Sequence, residues 1–124
     1  MLNNTIISGR LTKDPELRYV TENQTPVLNF TLAVDRDPFD GNSEKKADFI
    51  PVVAWNGTAR FISDHFGKGG ALTVQGRLQS RTWDDPEGKK HYAVELMADK
   101  AYFSGNSKRS DEAVAESEAD DYSA

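Results

Sequence analysis

Phe39, Phe49, Trp55 and Trp83 are large aromatic side chains with polar residues and cations close by in sequence. Phe39 lies within the polar run 37–44 and Trp83 within Arg81–Asp85, while Arg36, Lys45, Lys46, Arg77, Arg81, Lys89 and Lys90 are near neighbours. An aromatic in such a setting either anchors a loop or offers a platform to a ligand. Unpaired nucleic acid fits the second role. Each base offers a π-face worth roughly 1–3 kcal/mol when stacked, and cations follow the phosphates. The residues alone leave a second reading open, in which the aromatics are core and the cations ordinary surface.

Other chemistry finds little support. Asp84 and Asp85 sit beside Pro86 and Gly88, where solvated turn acids are usual. Gly67-Lys68-Gly69-Gly70 lacks the spacing and the following Ser or Thr of a phosphate loop. Ser63, Asp64 and His65 are consecutive, and neighbours on a helix point in different directions, so they form no relay. The chain has no cysteine, and its two histidines, His65 and His91, are too scattered for a metal centre. They read as ordinary surface or packing residues. The expectation is a binding protein rather than an enzyme, without cofactor or metal.

The elements that must position these residues are mostly strands. Thr5–Leu11, Val27–Val34, Ala47–Trp55, Ala71–Gln79 and Tyr92–Ala98 read as five strands, and Thr58–Phe66 as one helix capped by Asn56 or Thr58 and stopped by Gly67, Gly69 and Gly70. Alternation puts Phe49, Pro51, Val53 and Trp55 on one face of the third strand, and Pro51 requires an edge, a bulge or an interrupted pairing there. Periodicity points Phe30, Phe61, Phe66 and Tyr92 inward and leaves Tyr19 undecided. The arrangement matches an all-β, five-stranded Greek-key OB barrel with a helix between strands 3 and 4.

The net charge of −5 is unevenly distributed. From Ser104 onward six acids stand against two bases, whereas residues 1–103 hold 13 bases and 14 acids. A near-neutral body can still carry a basic groove, because binding follows local potential. The expectation is a domain over 1–103 and a disordered acidic tail over 104–124, too poor in apolar residues to offset its ordering entropy. No apolar run approaches the length of a membrane span, and the start of the chain lacks signal-peptide character, so a cytoplasmic, nucleoid-associated protein is expected.

Gly9-Arg10-Leu11-Thr12-Lys13-Asp14-Pro15-Glu16-Leu17-Arg18-Tyr19 resembles the opening of bacterial single-stranded DNA-binding proteins. So do Phe30–Val34, Ala47–Trp55, Lys68-Gly69, Val74–Trp83, Glu87-Gly88 and Tyr92–Glu95, in order and at family spacing across roughly residues 2–103. The resemblance implies an OB fold, assembled as a homotetramer, that binds and protects single-stranded DNA in replication, recombination and repair without chemistry or cofactor. It carries the stacking role onto Phe49, Trp55 and Trp83, and onto Phe39, where Pro38 and Phe39 straddle the family's aromatic position. Phosphate contacts map onto Arg81, and Arg18, Arg36, Lys68, Arg77 and Lys89 are candidates by charge and neighbourhood. Pro51 departs from the polar or basic residue frequent in the family. The end, Asp120-Asp121-Tyr122-Ser123-Ala124, has the family's acids without its apolar Pro-Phe tip, so the resemblance gives weak grounds for docking of replication or repair proteins there. An OB module for single-stranded RNA, or one that is mainly a protein-interaction subunit of a replication assembly, is the alternative.

Overall fold

Strand-forming segments rich in Val, Ile, Thr and aromatics pair into one sheet that closes on itself. The computed structural model describes residues 1–20, 22, 24–37 and 46–105. Its elements are β1 (Thr5–Leu11), β2 (Arg18–Val20), β3 (Thr25–Asp35), β4 (Ala47–Trp55), α1 (Asn56–His65), β5 (Ala71–Asp84) and β6 (Lys90–Phe103). The sheet runs β1-β5-β6-β4-β3-β2, and a further β1–β3 pairing closes β1, β5, β6, β4 and β3 into a ring. All pairings are antiparallel except the parallel join of β4 to β6 at Val52–Ala54. This is the closed Greek-key ring of an OB barrel, with its helix between the two halves of the sheet. Phe39 and the tail beyond Gly105 lie outside the described residues.

The expected five strands are present, joined by the short β2. Its three residues are all exposed, so no alternation marks it in the sequence. Leu28, Leu32, Val52, Leu72, Val74 and Leu96 line the interior, and α1 plugs one end with Ala59 and Ile62, followed by the buried Phe66. Neither expected cap is used. Trp55 occupies the N-cap position without a side-chain bond, Asn56 takes the left-handed conformation, and the Thr58 hydroxyl donates to Asp99 O at 3.0 Å, tying α1 to β6. Past α1, Gly69 N–H donates to Leu11 O and Leu11 N–H to Gly70 O, which fastens the following turn to β1.

Closing the ring demands close backbone approaches. Gly9 sits where β1 passes from β5 to β3, and a Cβ there would stand 2.7 Å from Ala33 O. Gly76 is tighter, because a side chain would collide with the Met97 carbonyl. At this point Gly76 pairs with Ala98 while Gln75 pairs with Lys100, leaving Asp99 as an extra residue in a β-bulge. The bulge reverses the alternation of β6. Leu96 and Ala98 face the core before it, and Ala101 and Phe103 pack against the core after it.

One inward assignment is corrected. Tyr92 shares the Leu96 and Ala98 side of β6, but it is 69% exposed. The β5–β6 hairpin runs past the barrel wall, so beyond Leu96 that side has no facing layer. Phe66 is buried, Phe30 and Phe61 pack half-buried against the core, and Tyr19 is exposed. Pro51 lies within an unbroken β3–β4 register, opposite Thr31, and β6 joins β4 only from Val52 onward. One flank of β4 is thus an open edge at Pro51, a place where a strand tolerates a missing donor.

Gly76→Ala should cost about 2–3 kcal/mol of stability, at the upper part of the range for overpacking against fixed backbone. Urea unfolding at fixed protein concentration measures it; a loss below about 0.5 kcal/mol would show that the bulge has room to yield.

Candidate nucleic-acid interface

Strand registers decide which side chains share a surface. Val53 of β4 pairs with Asn29 of β3 on one side and Met97 of β6 on the other, and Met97 pairs with Arg77 of β5. Paired residues share a face, so one rung crosses four strands on the outside of the barrel. Trp55 lies two residues from Val53 in one direction, and Pro51 and Phe49 lie in the other. Along β5 the outer positions after Arg77 are Gln79, Arg81 and Trp83, opposite Glu95, Ala93 and His91. Phe49, Trp55 and Trp83 therefore occupy a single outer face, with exposures of 65%, 42% and 40%. Arg18 joins them: it pairs with Val27, whose other partner is Trp55, so Arg18 and Trp55 flank the buried Val27 on one rung.

Three of the candidate cations are already paired with carboxylates. Arg36 makes a two-pronged contact with Asp48, Nε to Oδ2 at 3.0 Å and Nη2 to Oδ1 at 2.7 Å. Hydrogen bonding holds the Asp48 carboxyl below its ordinary range and raises the Arg36 guanidinium. Arg77 lies 3.7 Å from Asp99, and Arg81 donates to Glu95 at 2.9 Å. The Arg81 guanidinium also lies 4.3 Å from the centroid of Trp83, a cation–π contact. Arg36–Asp48 and Arg77–Asp99 are exposed on both sides, where an ion pair contributes little and exchanges readily, whereas Glu95 is only 18% exposed and holds Arg81 more firmly. Arg18, Lys68 and Lys89 form no ion pair among the described residues.

The positions of the two lysines differ from that stripe. Lys68 lies in the turn before β5, its backbone N–H donating to Asp14 Oδ1 at 2.7 Å, and Lys89 lies at the tip of the β5–β6 hairpin. No described contact joins either to an aromatic of the outer face. A cleft of about 510 Å³ opens beside Pro51 between the β1–β2 segment and the sheet, with Lys13, Asn29, Thr31 and Glu95 among its lining. In the sequence Asn29 and Thr31 are legible only as outward positions of a strand, and the cleft depends on how the β1–β2 segment lies over them.

His91 reads in the sequence as an ordinary residue, yet it lies in this face. Its ring stacks on Trp83, with centroids 5.4 Å apart and planes 17° from parallel, and Nε2 lies 2.9 Å from Asp85 Oδ2. Asp85 also accepts the backbone N–H groups of Glu87 and Lys89. The His91 bond, then the Lys89 amide, hold its carboxyl below the usual carboxylate range. The signal in the sequence is the turn: closing the hairpin at Asp85–Lys89 sets His91 opposite Trp83.

A closed OB barrel whose outer face combines exposed aromatics with exchangeable cations defines an oligonucleotide-binding class of protein. Comparison with known proteins makes the assignment specific. A family model described as the single-strand binding protein family matches residues 2–104, and the chain belongs to that family. It is 45% identical over 103 residues to a "Single-stranded DNA-binding protein" of Caldanaerobacter subterraneus subsp. tengcongensis, covering 83% of this chain and 68% of the relative. "Single-stranded DNA-binding protein 2" of Clostridium acetobutylicum is 43% identical over 82% of this chain and 76% of its own length. A Staphylococcus aureus protein of the same name is 45% identical over 83% and 73%.

Because Asp85 has a depressed pKa, its contribution to the hairpin tip is present above the unfolded-state value near about 3.9 and is lost as pH falls through the lower folded-state value. The amide protons of Glu87 and Lys89 should accordingly shift together in an acid titration followed by NMR, with a midpoint below about 3.9. Shifts that move separately, or at an ordinary carboxylate midpoint, would contradict the shared acceptor.

Proposed function

We propose that this chain binds and protects single-stranded DNA without sequence preference, in replication, recombination and repair. The observation that carries the reading is the outer face shared by Phe49, Trp55 and Trp83, with Arg77 and Arg81 on the same strand as Trp83. Bases stack on the aromatics, and Phe39 is assigned to the same set from family resemblance. Stacking uses the π-face that every base has, so hydrogen-bonding edges go unread. Arg18, Arg36, Arg77, Arg81, Lys68 and Lys89 are the phosphate contacts. Arg36, Arg77 and Arg81 reach phosphate by exchanging one anion for another.

The assembly in this reading is a homotetramer. Its support on the protein's surface is an apolar band that the barrel leaves uncovered: Leu78, Tyr92 and Val94 on the inner side of the projecting hairpin. Contiguous apolar surface of this kind marks a contact site. The acidic tail is a candidate docking segment for replication or repair proteins. No helix among the described residues is long and apolar enough to cross a membrane, in keeping with a protein that works on DNA in the cytoplasm.

Titration with poly-dT, poly-U and duplex DNA, read by tryptophan fluorescence, tests this function. Strong quenching by poly-dT and none by duplex is expected, and native mass in the same samples should correspond to four copies. Preference for poly-U, or a one-copy mass, would overturn the respective assignment. Trp55→Ala and Trp83→Ala should each weaken dT binding by about 1–3 kcal/mol, roughly 5- to 150-fold in Kd, with the fold intact by circular dichroism. Unchanged affinity in both variants removes the stacking role.

Asp48→Asn releases Arg36 from its neutralising partner. With that internal anion gone, the Arg36–phosphate contact no longer leaves an unpaired carboxylate beside the DNA, so cation release from the phosphate is not offset there and log Kobs should fall more steeply with log salt, by up to about 0.7 for one phosphate contact. An unchanged slope would mean that Arg36 does not meet phosphate.

A further inference from the structure

Base stacking on Phe49, Trp55 and Trp83 makes no use of His91, the only imidazole on the outer face among the described residues. Its geometry is constrained from three sides. β6 sets it directly opposite Trp83, its ring lies stacked on the indole, and Asp85 receives its Nε2. Asp85 is itself pinned by the backbone N–H groups of Glu87 at 3.0 Å and Lys89 at 2.8 Å. The turn, the carboxylate, the imidazole and the indole thus form one chain of contacts that ends on a base-stacking platform. Trp83, on the far side of this chain, also carries Arg81, which Glu95 holds.

We propose that His91 is a positioning residue for Trp83 and a proton-dependent phosphate contact, so that single-stranded DNA binds more tightly as pH falls through the histidine range. This rests on the outer face being the single-strand site. The chemistry follows from the two ring nitrogens. Nε2 is committed to Asp85 and donates in either charge state, leaving Nδ1 as the atom that changes. In the neutral ring Nδ1 is an acceptor and repels a phosphate oxygen; in the protonated ring it becomes a charged donor. DNA therefore favours the protonated form, and by linkage the protonated form favours DNA.

The charged groups around the imidazole support this direction. Asp85 faces it and remains anionic throughout the histidine range, since its carboxyl is held below the usual carboxylate values. Glu87, Lys89 and Lys90 lie on the adjoining turn and strand, and Arg81 with Glu95 lies further along the same face. The other histidine, His65, is on α1 against Phe61 and Phe103, away from the outer face.

The test is the affinity of the full chain for oligo-dT between about pH 8 and pH 6 at constant ionic strength, the interval in which histidine charge ordinarily changes. Wild type should tighten by about threefold or more across it. His91→Phe keeps a ring beside Trp83 but has no proton to gain, and His91→Gln keeps a donor for Asp85; both should bind with a flat profile. His65→Gln should keep the wild-type slope. In the free protein, the Trp83 indole Nε1–H resonance should titrate with the His91 ring signals and stop doing so in His91→Gln. A flat wild-type profile, or a slope that survives in His91→Phe, overturns the proposal while leaving single-strand binding in place. Absence of dT binding at every pH overturns both.

Discussion

The β5–β6 ladder, interrupted by the single extra residue Asp99, is the constraint on which the rest of the structure depends. Gly76 lets the two backbones approach closely at that point, and no side chain could occupy its place without displacing the Met97 carbonyl. On one side of the bulge the ladder belongs to the barrel, burying Leu72, Val74, Leu96 and Ala98 and bringing Phe103 against α1. On the other side it leaves the barrel as a hairpin with two unlike faces. One carries Arg81, Trp83 and His91, and the other carries Leu78, Tyr92 and Val94. A single irregularity in register thus fixes the interior, the outer aromatic face and the apolar band together.

Electrostatics on the barrel surface follow a second theme. An acidic chain bearing a proposed anion-binding surface would be contradictory if charge acted only in sum. Here Asp99 and Glu95 stand beside Arg77 and Arg81 on the outer face, and Asp48 stands beside Arg36 on the opposite side of the β3–β4 hairpin, since Asp48 pairs with the inward Val34. The acids that lower the net charge also hold the guanidinium groups in place. Arg77 and Asp99 are both solvent-exposed, so that carboxylate would compete only weakly with a phosphate, whereas the largely covered Glu95 holds Arg81 more firmly. Charge is thus arranged locally, with exposed guanidinium groups on a chain that is negative as a whole.

Much of the fold is legible in the chain because its cues are local. Leu28, Phe30 and Leu32 alternate against Asn29 and Thr31, and Ile50, Val52 and Ala54 against Phe49, Pro51, Val53 and Trp55, so the outward aromatics of β4 follow from alternation alone. Sequence and fold part where a non-local event intervenes. Alternation in β6 stops at Ala98 because the bulge reverses it there, while the strand itself continues to Phe103. Tyr92 has the parity of the buried Leu96, a correct inward phase with no opposing layer to cover it. Strand β2 has no signature because three exposed residues carry no pattern, and only pairing with Thr25–Val27 makes them a strand. The expected helix caps fail for a related reason: Thr58 has the chemistry of a cap, but β6 offers its hydroxyl a different partner.

What the sequence by itself determined is therefore the set of elements, the inward and outward sides of β3 and β4, and the family, since periodicity and motif spacing are properties of neighbours along the chain. Which residues meet across strands was decided only by the tertiary structure. The rung from Asn29 to Arg77, the pairing of three arginines with three acids, and the stack of His91 on Trp83 all depend on register. Register is set by ring closure and by the Gly76–Asp99 bulge, through contacts between residues far apart in sequence. The aromatics could be named from the chain; that Phe49, Trp55 and Trp83 share one face is a consequence of the barrel.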